Sequence, residues 1–145
     1  IIMHADAGSA PEDKKARENG YTQILNFIKG LYSTAPMILM GDWNTRYFRD
    51  NFKALFIDKL NEIQGISVSD AWVECHNGGI YPEYGSASAE KAEDKLDKIL
   101  FLNRNNSPVA LEPVSMDYLP VIVDADGKQI SDHRPAEAEF RILVK

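Results

Sequence analysis

The residues best suited to chemistry in this chain are a carboxylate and a carboxamide two positions apart, Asp42 and Asn44. They follow residues 37–40, an apolar run that is too short for a stable helix and is therefore predicted to be a buried strand. Gly41 gives the backbone the freedom to turn where that strand ends. Side chains just past a strand end face solvent on a rigid scaffold, which is where α/β proteins usually place their sites. The same pair also fits an Asx-type turn, a common structural use of Asp and Asn.

Two later stretches place more acid–base groups beside predicted strands. Asp97 stands at the start of the apolar residues 96–102, and the pair Asp132 and His133 precedes the last predicted strand. Three carboxylates and an imidazole, each beside a strand end, can therefore converge on one rim of a sheet. Structural alternatives exist for each, because Asp97 can pair with a neighbouring lysine and His133 can cap the final strand.

In this order, the motifs resemble the last three motifs of the endonuclease/exonuclease/phosphatase superfamily, which includes deoxyribonucleases, abasic-site endonucleases, neutral sphingomyelinases and inositol-polyphosphate 5-phosphatases. They read Gly-Asp-Trp-Asn at 41–44, Leu-Asp-Lys-Ile-Leu at 96–100 and Ser-Asp-His-Arg-Pro at 131–135. The stretch around His4 is similar to the histidine strand that precedes them in that family. Four ordered motifs are far more specific than any one of them, and here they span the whole chain.

The resemblance implies an α/β fold, namely half of a four-layered α/β/β/α sandwich with a mixed, largely antiparallel sheet and flanking helices. In that family the early strands carry an Asn and a metal-binding Glu, and no residue here occupies those places. We therefore expect residues 1–145 to be the C-terminal half of one such domain, with the N-terminal half absent from this chain. That half is the first expected partner. Without it, an apolar sheet face would be exposed and open to another protein.

The resemblance also assigns roles to the motif residues. Asp42 would orient or deprotonate the attacking water and approach a metal, for which Asp132 is the first choice of ligand. Asn44 would donate its amide to a phosphoryl oxygen. His133 would bind developing charge, while Asp97 holds its ring and raises its pKa.

Two further residues complete the predicted site. His4 would face the phosphate or the leaving group, and Arg46 is either a phosphate contact or a solvated charge. Hydrolysis of a phosphate ester needs an activated water and relief of charge on the phosphoryl oxygens, and carboxylates suit hard divalent cations. The expected cofactor is Mg²⁺, with Mn²⁺ or Ca²⁺ as alternatives.

The expected function is metal-dependent hydrolysis of a phosphate ester by the chain joined to its N-terminal half. The substrate stays open between nucleic acid, a phospholipid headgroup and a small phosphoester, because a shared fold does not choose among them. The alternative is a catalytically incomplete fragment that acts as a protein-binding module.

Composition is that of an ordinary globular protein. The chain has 145 residues, of which 44% are hydrophobic and 26% are charged, which argues against disorder. No apolar run approaches a membrane-spanning length, and no signal segment is visible. The net charge of −6 disfavours a dedicated nucleic-acid surface, although bound divalent ions would offset some of that charge in a metal-dependent nuclease.

Cys75 is the single cysteine, so no disulfide can form within the chain. It is either a small buried residue or, in a secreted protein, a bond to the missing half. The sequon Asn105-Asn106-Ser107 fits secretion.

Hydrophobic spacing predicts the remaining elements. A capping box of Ser9 and Glu12 should open a long helix that ends before a turn at 33–36. A second helix over 52–63 should close at Gly65. Further predictions are a helical turn at 70–74, strands at 109–118 with an irregularity at Pro113 and at 136–144, and a turn at 124–127.

The segment 76–94 is rich in Gly, Ser, Pro and charge and is too long for a mere connector. It is therefore a candidate substrate-binding segment, with Tyr81 and Tyr84 available to line a cleft. His76, near two glycines, is predicted to be a turn residue rather than a ligand.

Overall fold

The computed structural model describes residues 1–47, 51–83, 85–87 and 95–145. Among the elements named below, two short helical segments and one long helix alternate with strands. The elements are β1 (Ile2–His4), α1 (Pro11–Gly30), β2 (Met37–Asp42), a π-helical turn (Lys53–Ile57) that continues into α2 (Asp58–Asn61), β3 (Ile66–Asp70), α3 (Ala71–Asn77), β4 (Asp97–Arg104), β5 (Val109–Tyr118) and β6 (Ala136–Val144).

The strands form two sheets. Four of them lie in the order β1-β2-β4-β3, where β1 runs parallel to β2 and the other pairs are antiparallel. The strands β5 and β6 form a separate antiparallel pair. The predicted mixed, largely antiparallel sheet is thereby confirmed.

Three layers of the expected sandwich are present. The central layer is the four-stranded sheet, whose strand β4 is covered on both faces. Successive side chains on a strand point to opposite faces. Leu100 and Leu102 pack with the cluster that contains α1, the π-helical turn and α2. Ile99 and Phe101 pack with the cluster that contains β5, β6 and α3. The order of layers is therefore helices, four-stranded sheet and two-stranded sheet, which agrees with half of an α/β/β/α sandwich.

Helix α1 covers the four-stranded sheet with one face. Its buried apolar residues Tyr21, Leu25 and Ile28 recur at helical spacing. The predicted capping box is displaced by one residue: Ala10 is the N-cap, and its backbone N–H donates to the Asp13 carboxylate at 2.9 Å. Pro11 occupies the first helical position, where a missing N–H costs nothing.

The region predicted as one helix over 52–63 is instead a π-helical turn followed by a single turn of α-helix. Gly65 follows with a φ of +81°, as expected for a residue that ends a helix. Next comes β3, which the sequence analysis did not predict. Asp70 then caps α3 by accepting hydrogen bonds from the N–H groups of Trp72 and Val73.

Gly41 has a different role from the predicted one, because β2 continues through it to Asp42. Its φ is +138°, and a Cβ placed there would lie 1.9 Å from the carbonyl oxygen of Met3. The glycine is therefore required by the close approach of β1 rather than by a turn.

Several local predictions are confirmed by the strands and turns. The register of β5 against β6 shifts between Pro113 and Ser115, and β6 spans residues 136–144 as expected. Gly127 closes a turn by donating its N–H to Asp124. The strand β4 extends two residues beyond its predicted end.

The segment 76–94 is described only in part, and Tyr84 lies outside the described residues. Tyr81 packs against both hydrophobic clusters. The prediction for His76 is wrong in its local structure: it lies in the last turn of α3, where its ring stacks on Trp72. Cys75 is half-buried and forms no disulfide. In the part of the chain described, no helix is both long and apolar enough to cross a bilayer.

Candidate active site

Strand pairing brings three of the predicted site residues to one rim of the four-stranded sheet. The parallel register sets His4 beside Asp42, and the antiparallel register sets Asp42 beside Asp97. A fourth residue, His133, reaches the same rim from the loop before β6. The predicted convergence at a sheet rim is therefore present in the structure.

Asp42 is held in place by Asn44, two residues later in the chain. The backbone N–H of Asn44 donates to Asp42 Oδ1 at 2.7 Å, and its side-chain amide donates to Asp42 Oδ2 at 3.0 Å. The same amide nitrogen donates to the carbonyl of Ala5 at 2.8 Å. Asn44 has a φ of +45°, a left-handed conformation that Asn tolerates better than most residues. The Asx-type turn and the candidate site are thus the same structure.

Two imidazoles face the Asp42 carboxylate. The Nε2 atom of His4 lies 3.6 Å from Asp42 Oδ2, and the Nε2 atom of His133 lies 3.7 Å from the same oxygen. Both distances are longer than a hydrogen bond. The carboxylate side chain is only 10% exposed, whereas that of His4 is 74% exposed. A largely buried carboxylate therefore presents one oxygen to two more accessible imidazoles.

His133 is oriented by Asp97. Its Nδ1 atom lies 2.6 Å from Asp97 Oδ2, which leaves Nε2 to face Asp42. This hydrogen bond raises the pKa of His133, with partial burial opposing the shift and the charges of Asp97, Asp42 and Asp132 adding to it. The imidazole is thereby favoured in its charged form at the rim.

Asp97 is itself anchored through its backbone. The hydroxyl of Tyr118, at the end of β5, donates to the Asp97 carbonyl oxygen. The ammonium of Lys95 lies 4.2 Å from the centre of the Tyr118 ring. These two residues could not be identified from the sequence, because nothing in it indicates that the end of β5 meets the start of β4.

A cleft of about 450 Å³ opens beside His133. Asp132 is exposed and lies on its wall together with Asp97, Tyr118 and Arg134. The guanidinium of Arg134 donates to the carbonyl oxygens of Leu119 and Tyr118, so it holds one side of the cleft in shape. Asp132 thus lies on the same cleft as Asp97 and His133, whereas Asp42 does not line that cleft.

Arg46 lies in the loop after β2, half-buried and two residues beyond Asn44. Its predicted phosphate contact stays a prediction. The predicted phosphate contact of Asn44 also stays a prediction, and its amide nitrogen already donates to Asp42 and Ala5 in this structure.

The donor set fits a hard divalent cation only in part. Asp42 and Asp132 offer carboxylate oxygens, the ligands that Mg²⁺ and Ca²⁺ prefer. Among the residues that the structure describes, however, no group of three His, Cys, Asp or Glu side chains is close enough to hold a metal ion. This chain could therefore supply part of a coordination shell, and further oxygen ligands would have to come from water, substrate or other protein residues.

The resemblance predicted from the motifs is confirmed at the level of the fold, which this chain shares with solved structures that include an endonuclease/exonuclease/phosphatase family protein. The solved structures that resemble this chain include zebrafish (D. rerio) TDP2 complexed with a single-stranded DNA product, with a TM-score of 0.61 at 21% identity over 97% of this chain. A mannosyl-6-phosphatase from Bacteroides thetaiotaomicron gives a TM-score of 0.60 at 19% identity over 97% of this chain. An endonuclease/exonuclease/phosphatase family protein from the same organism gives 0.58 at 18% identity over 96%.

Among curated sequences, proteins named sphingomyelinase from Mycobacterium tuberculosis and Mycobacterium bovis are 28% identical to this chain over 144 residues. That alignment covers 98% of this chain and 27% of each relative. In the solved structures above, the chain covers 55%, 49% and 47% of its counterpart. The chain thus spans about a quarter of these sequence relatives and about half of these structures. No family profile matches it.

Proposed function

We propose that this chain is the C-terminal half of a metal-dependent phosphoesterase domain, active when it is joined to the N-terminal half. The observation that carries the proposal is the meeting of His4, Asp42 and the pair of His133 with Asp97 at one sheet rim. Two imidazoles that lie 3.6 and 3.7 Å from one carboxylate oxygen suit proton transfer and stabilisation of a phosphoryl charge.

Asp42 is the group proposed to act on the attacking water. Its Oδ2 atom faces both imidazoles, and the two N–H groups of Asn44 fix the direction of the carboxylate. In the proposed step the water oxygen bonds to phosphorus, the bond from phosphorus to the leaving oxygen breaks, and the water proton passes to Asp42. The leaving oxygen takes up a proton from solvent and departs as an alcohol. The main role proposed for Asn44 is to hold Asp42 in position.

His133 is the group proposed to bind charge that develops on the phosphoryl oxygens. Its raised pKa favours the imidazolium, and the Nε2–H of that imidazolium points toward the Asp42 side of the rim. His4, which is more exposed, is proposed to face the phosphate or the leaving group. A cationic imidazole held by a carboxylate keeps its orientation while the reaction proceeds.

Asp132, together with Asp42, is proposed to contribute carboxylate oxygens to a Mg²⁺ site, with Mn²⁺ or Ca²⁺ as alternatives. When bound, such an ion would neutralise part of the phosphate charge. Because fewer than three such ligands cluster in the described part of this chain, we propose that a carboxylate of the N-terminal half completes the site.

An uncovered apolar region supports the need for that second half. The side chains of Ile2 and Met40 lie beside each other in the β1–β2 pair and are 78% and 40% exposed. They line a cavity of about 310 Å³ with Pro135 and Ala136 at the start of β6. Ile142, farther along β6, is 66% exposed. An apolar gap beside two paired strands suits additional strands that would complete the second sheet.

The substrate class proposed first is a phosphodiester of a phospholipid headgroup. Its support is that the mycobacterial relatives at 28% identity carry the name sphingomyelinase, whereas the DNA-bound and sugar-phosphatase structures share only the fold. Nucleic acid and small phosphoesters remain the alternatives. The net charge of −6 favours the lipid diester over a polyanionic nucleic acid.

The experiment is to express this chain joined to its N-terminal half and to offer sphingomyelin, single-stranded DNA and a sugar monophosphate in separate assays. Hydrolysis of sphingomyelin that requires Mg²⁺ and is abolished by EDTA is expected. Activity on DNA or the sugar phosphate alone would overturn the substrate, and inactivity on all three with each of the three metal ions would overturn the proposed reaction. Lys59→Met should keep the wild-type activity, because this exposed lysine pairs with nearby Glu62 on the helical surface and lies outside the site.

The second candidate is a protein-binding fragment, which the exposed Ile2, Met40 and Ile142 also favour. Native mass spectrometry of the chain purified from its own source separates the two proposals. A companion fragment with the missing part of the domain supports the enzyme, whereas an unrelated protein seated on this apolar region supports the binding role.

A further inference from the structure

Lys98 is a lysine in an unusual place. It is the second residue of β4, directly after Asp97, and it is only 1% exposed. Lysine is almost never fully buried unless its ammonium has partners, because burying a charge without them is very costly. The chemistry proposed above makes no use of this residue.

The ammonium of Lys98 joins two separate segments of the site. It donates to the carbonyl oxygen of Thr45 at 2.5 Å and to that of Lys95 at 2.6 Å. It also lies 4.6 Å from the centre of the Tyr47 ring and 5.2 Å from that of Phe52. One side chain thus ties the loop after β2 to the segment that leads into β4.

The buried residue Asp70 belongs to the same group of contacts. The hydroxyl of Tyr47 donates to Asp70 Oδ2 at 2.9 Å, and Asp70 is completely buried. Asp70 and the Lys98 ammonium attract each other electrostatically. Lys98, Tyr47 and Asp70 therefore form one buried polar network next to the loop after β2.

The tied segments are the ones that carry the proposed active-site groups. Thr45 stands between Asn44, which orients Asp42, and Arg46. Lys95 lies two residues before Asp97, which orients His133. A second hydrogen bond joins the loop after β2 to the start of β4: the indole N–H of Trp43 donates to the Lys98 carbonyl at 3.3 Å.

We propose that Lys98 is a positioning residue of the active site, whose buried ammonium fixes the loop carrying Asn44 and Arg46 against the start of β4. The inference rests on the proposed function for its catalytic consequence, but its geometric content stands without it. A hydrophobic side chain of the same length would fill the space and leave the carbonyls of Thr45 and Lys95 without this donor.

The test compares wild type with Lys98→Met, in the chain joined to its N-terminal half. The expected result is that kcat for bis(p-nitrophenyl) phosphate with Mg²⁺ falls by about tenfold or more, whereas KM changes by less than about threefold, because misplaced groups lose rate before they lose binding. The NMR amide signals of Asn44 and Arg46 should shift, and that of Asn105, just beyond the opposite end of β4, should not. Lys59→Met is the matched control for loss of a lysine charge.

Unchanged loop signals together with a kcat within twofold of wild type would overturn the proposal. If wild type itself hydrolyses nothing, the proposed function fails, while the NMR comparison still decides whether Lys98 fixes the loop. Should Lys98→Met fail to fold, the wild-type protein provides the test through an NMR coupling across the hydrogen bond from Lys98 Nζ to the Thr45 carbonyl carbon. Observing that coupling supports the proposal, and an ammonium that exchanges too fast to give a signal contradicts it.

Discussion

Replacing Asp97 by Asn tests whether this carboxylate sets the charge and orientation of His133. Asn keeps the size of the side chain and an oxygen that can accept from Nδ1, but it removes the negative charge. The backbone should be unaffected, because Tyr118 holds Asp97 through its carbonyl oxygen rather than its side chain. Asp97→Asn therefore removes the negative charge beside His133 and leaves the backbone contact with Tyr118 in place.

The size of the effect follows from the geometry of the pair. The Nδ1–Oδ2 distance is 2.6 Å, which is typical of a charge-assisted hydrogen bond, and such bonds contribute about 1.5–3 kcal/mol. The two side chains are 36% and 25% exposed, so solvent screening places this bond at the lower end. A loss of about 1.5 kcal/mol in the transition state lowers kcat by roughly tenfold.

The assay is an NMR pH titration of the imidazole signals. Three histidines occur in the chain, so each signal can be assigned by substitution. In wild type the hydrogen bond to Asp97 raises the pKa of His133, and in Asp97→Asn that pKa should fall toward its ordinary value. Lys59→Met is the control, because this exposed lysine pairs with Glu62 on the helical surface and its loss should leave the pKa of His133 unchanged.

The same pair contributes to stability in a defined pH range. A histidine whose pKa is raised on folding stabilises the native state fully below its unfolded pKa, and this contribution is lost as pH rises through the folded pKa. The stability difference between wild type and Asp97→Asn should therefore shrink with rising pH. A His133 that titrates at the same pH in both proteins would refute the assigned role of Asp97.

Two further predictions concern the scaffold. Gly41→Ala should lower the free energy of unfolding by at least about 3 kcal/mol, because the new Cβ would lie 1.9 Å from the Met3 carbonyl oxygen at a φ of +138°. Gly20→Ala, with nothing within 4 Å of its Cβ in α1, should instead stabilise by about 0.5–1 kcal/mol, and urea unfolding measures both. Burial raises the pKa of Asp70 to about 6 from 3.8, so the native state keeps a proton that the unfolded state loses, and stability should fall as pH rises through this range. Asp70→Asn should remove a pH dependence of about 3 kcal/mol between pH 4 and 7, and equal pH dependence in the two proteins would contradict this.

The rim of the site could be predicted from the sequence because each group lies beside an apolar strand. Asp42 and Asp97 stand at fixed offsets from residues whose burial fixes their strands, so the sheet register brings them together, and His133 reaches them from the loop before β6. The helix α1 was readable for the same reason, since its apolar spacing is long and regular. Its first residue was not, because the Asp13 carboxylate accepts a hydrogen bond from the Ala10 N–H, which makes Ala10 rather than Ser9 the N-cap.

Other features depend on contacts between distant segments. The strand β3 has only two strongly apolar residues, Ile66 and Val68, and it is defined by its pairing with β4. The burial of Lys98 could not be inferred from the sequence, because a lysine next to an aspartate more often pairs with that aspartate at the surface. Gly41 was placed in a turn because the close approach of β1 is a property of the assembled sheet.

The central claim is that Asp42 and its neighbours hydrolyse a phosphate diester. The most direct measurement is the Mg²⁺-dependent kcat/KM for bis(p-nitrophenyl) phosphate, in wild type and in Asp42→Asn, with the chain joined to its N-terminal half. We expect measurable turnover in wild type and a loss of about a hundredfold or more in Asp42→Asn, the scale of a missing general base. Equal turnover in the two proteins, or none in wild type with any of the three candidate metal ions, would contradict the claim.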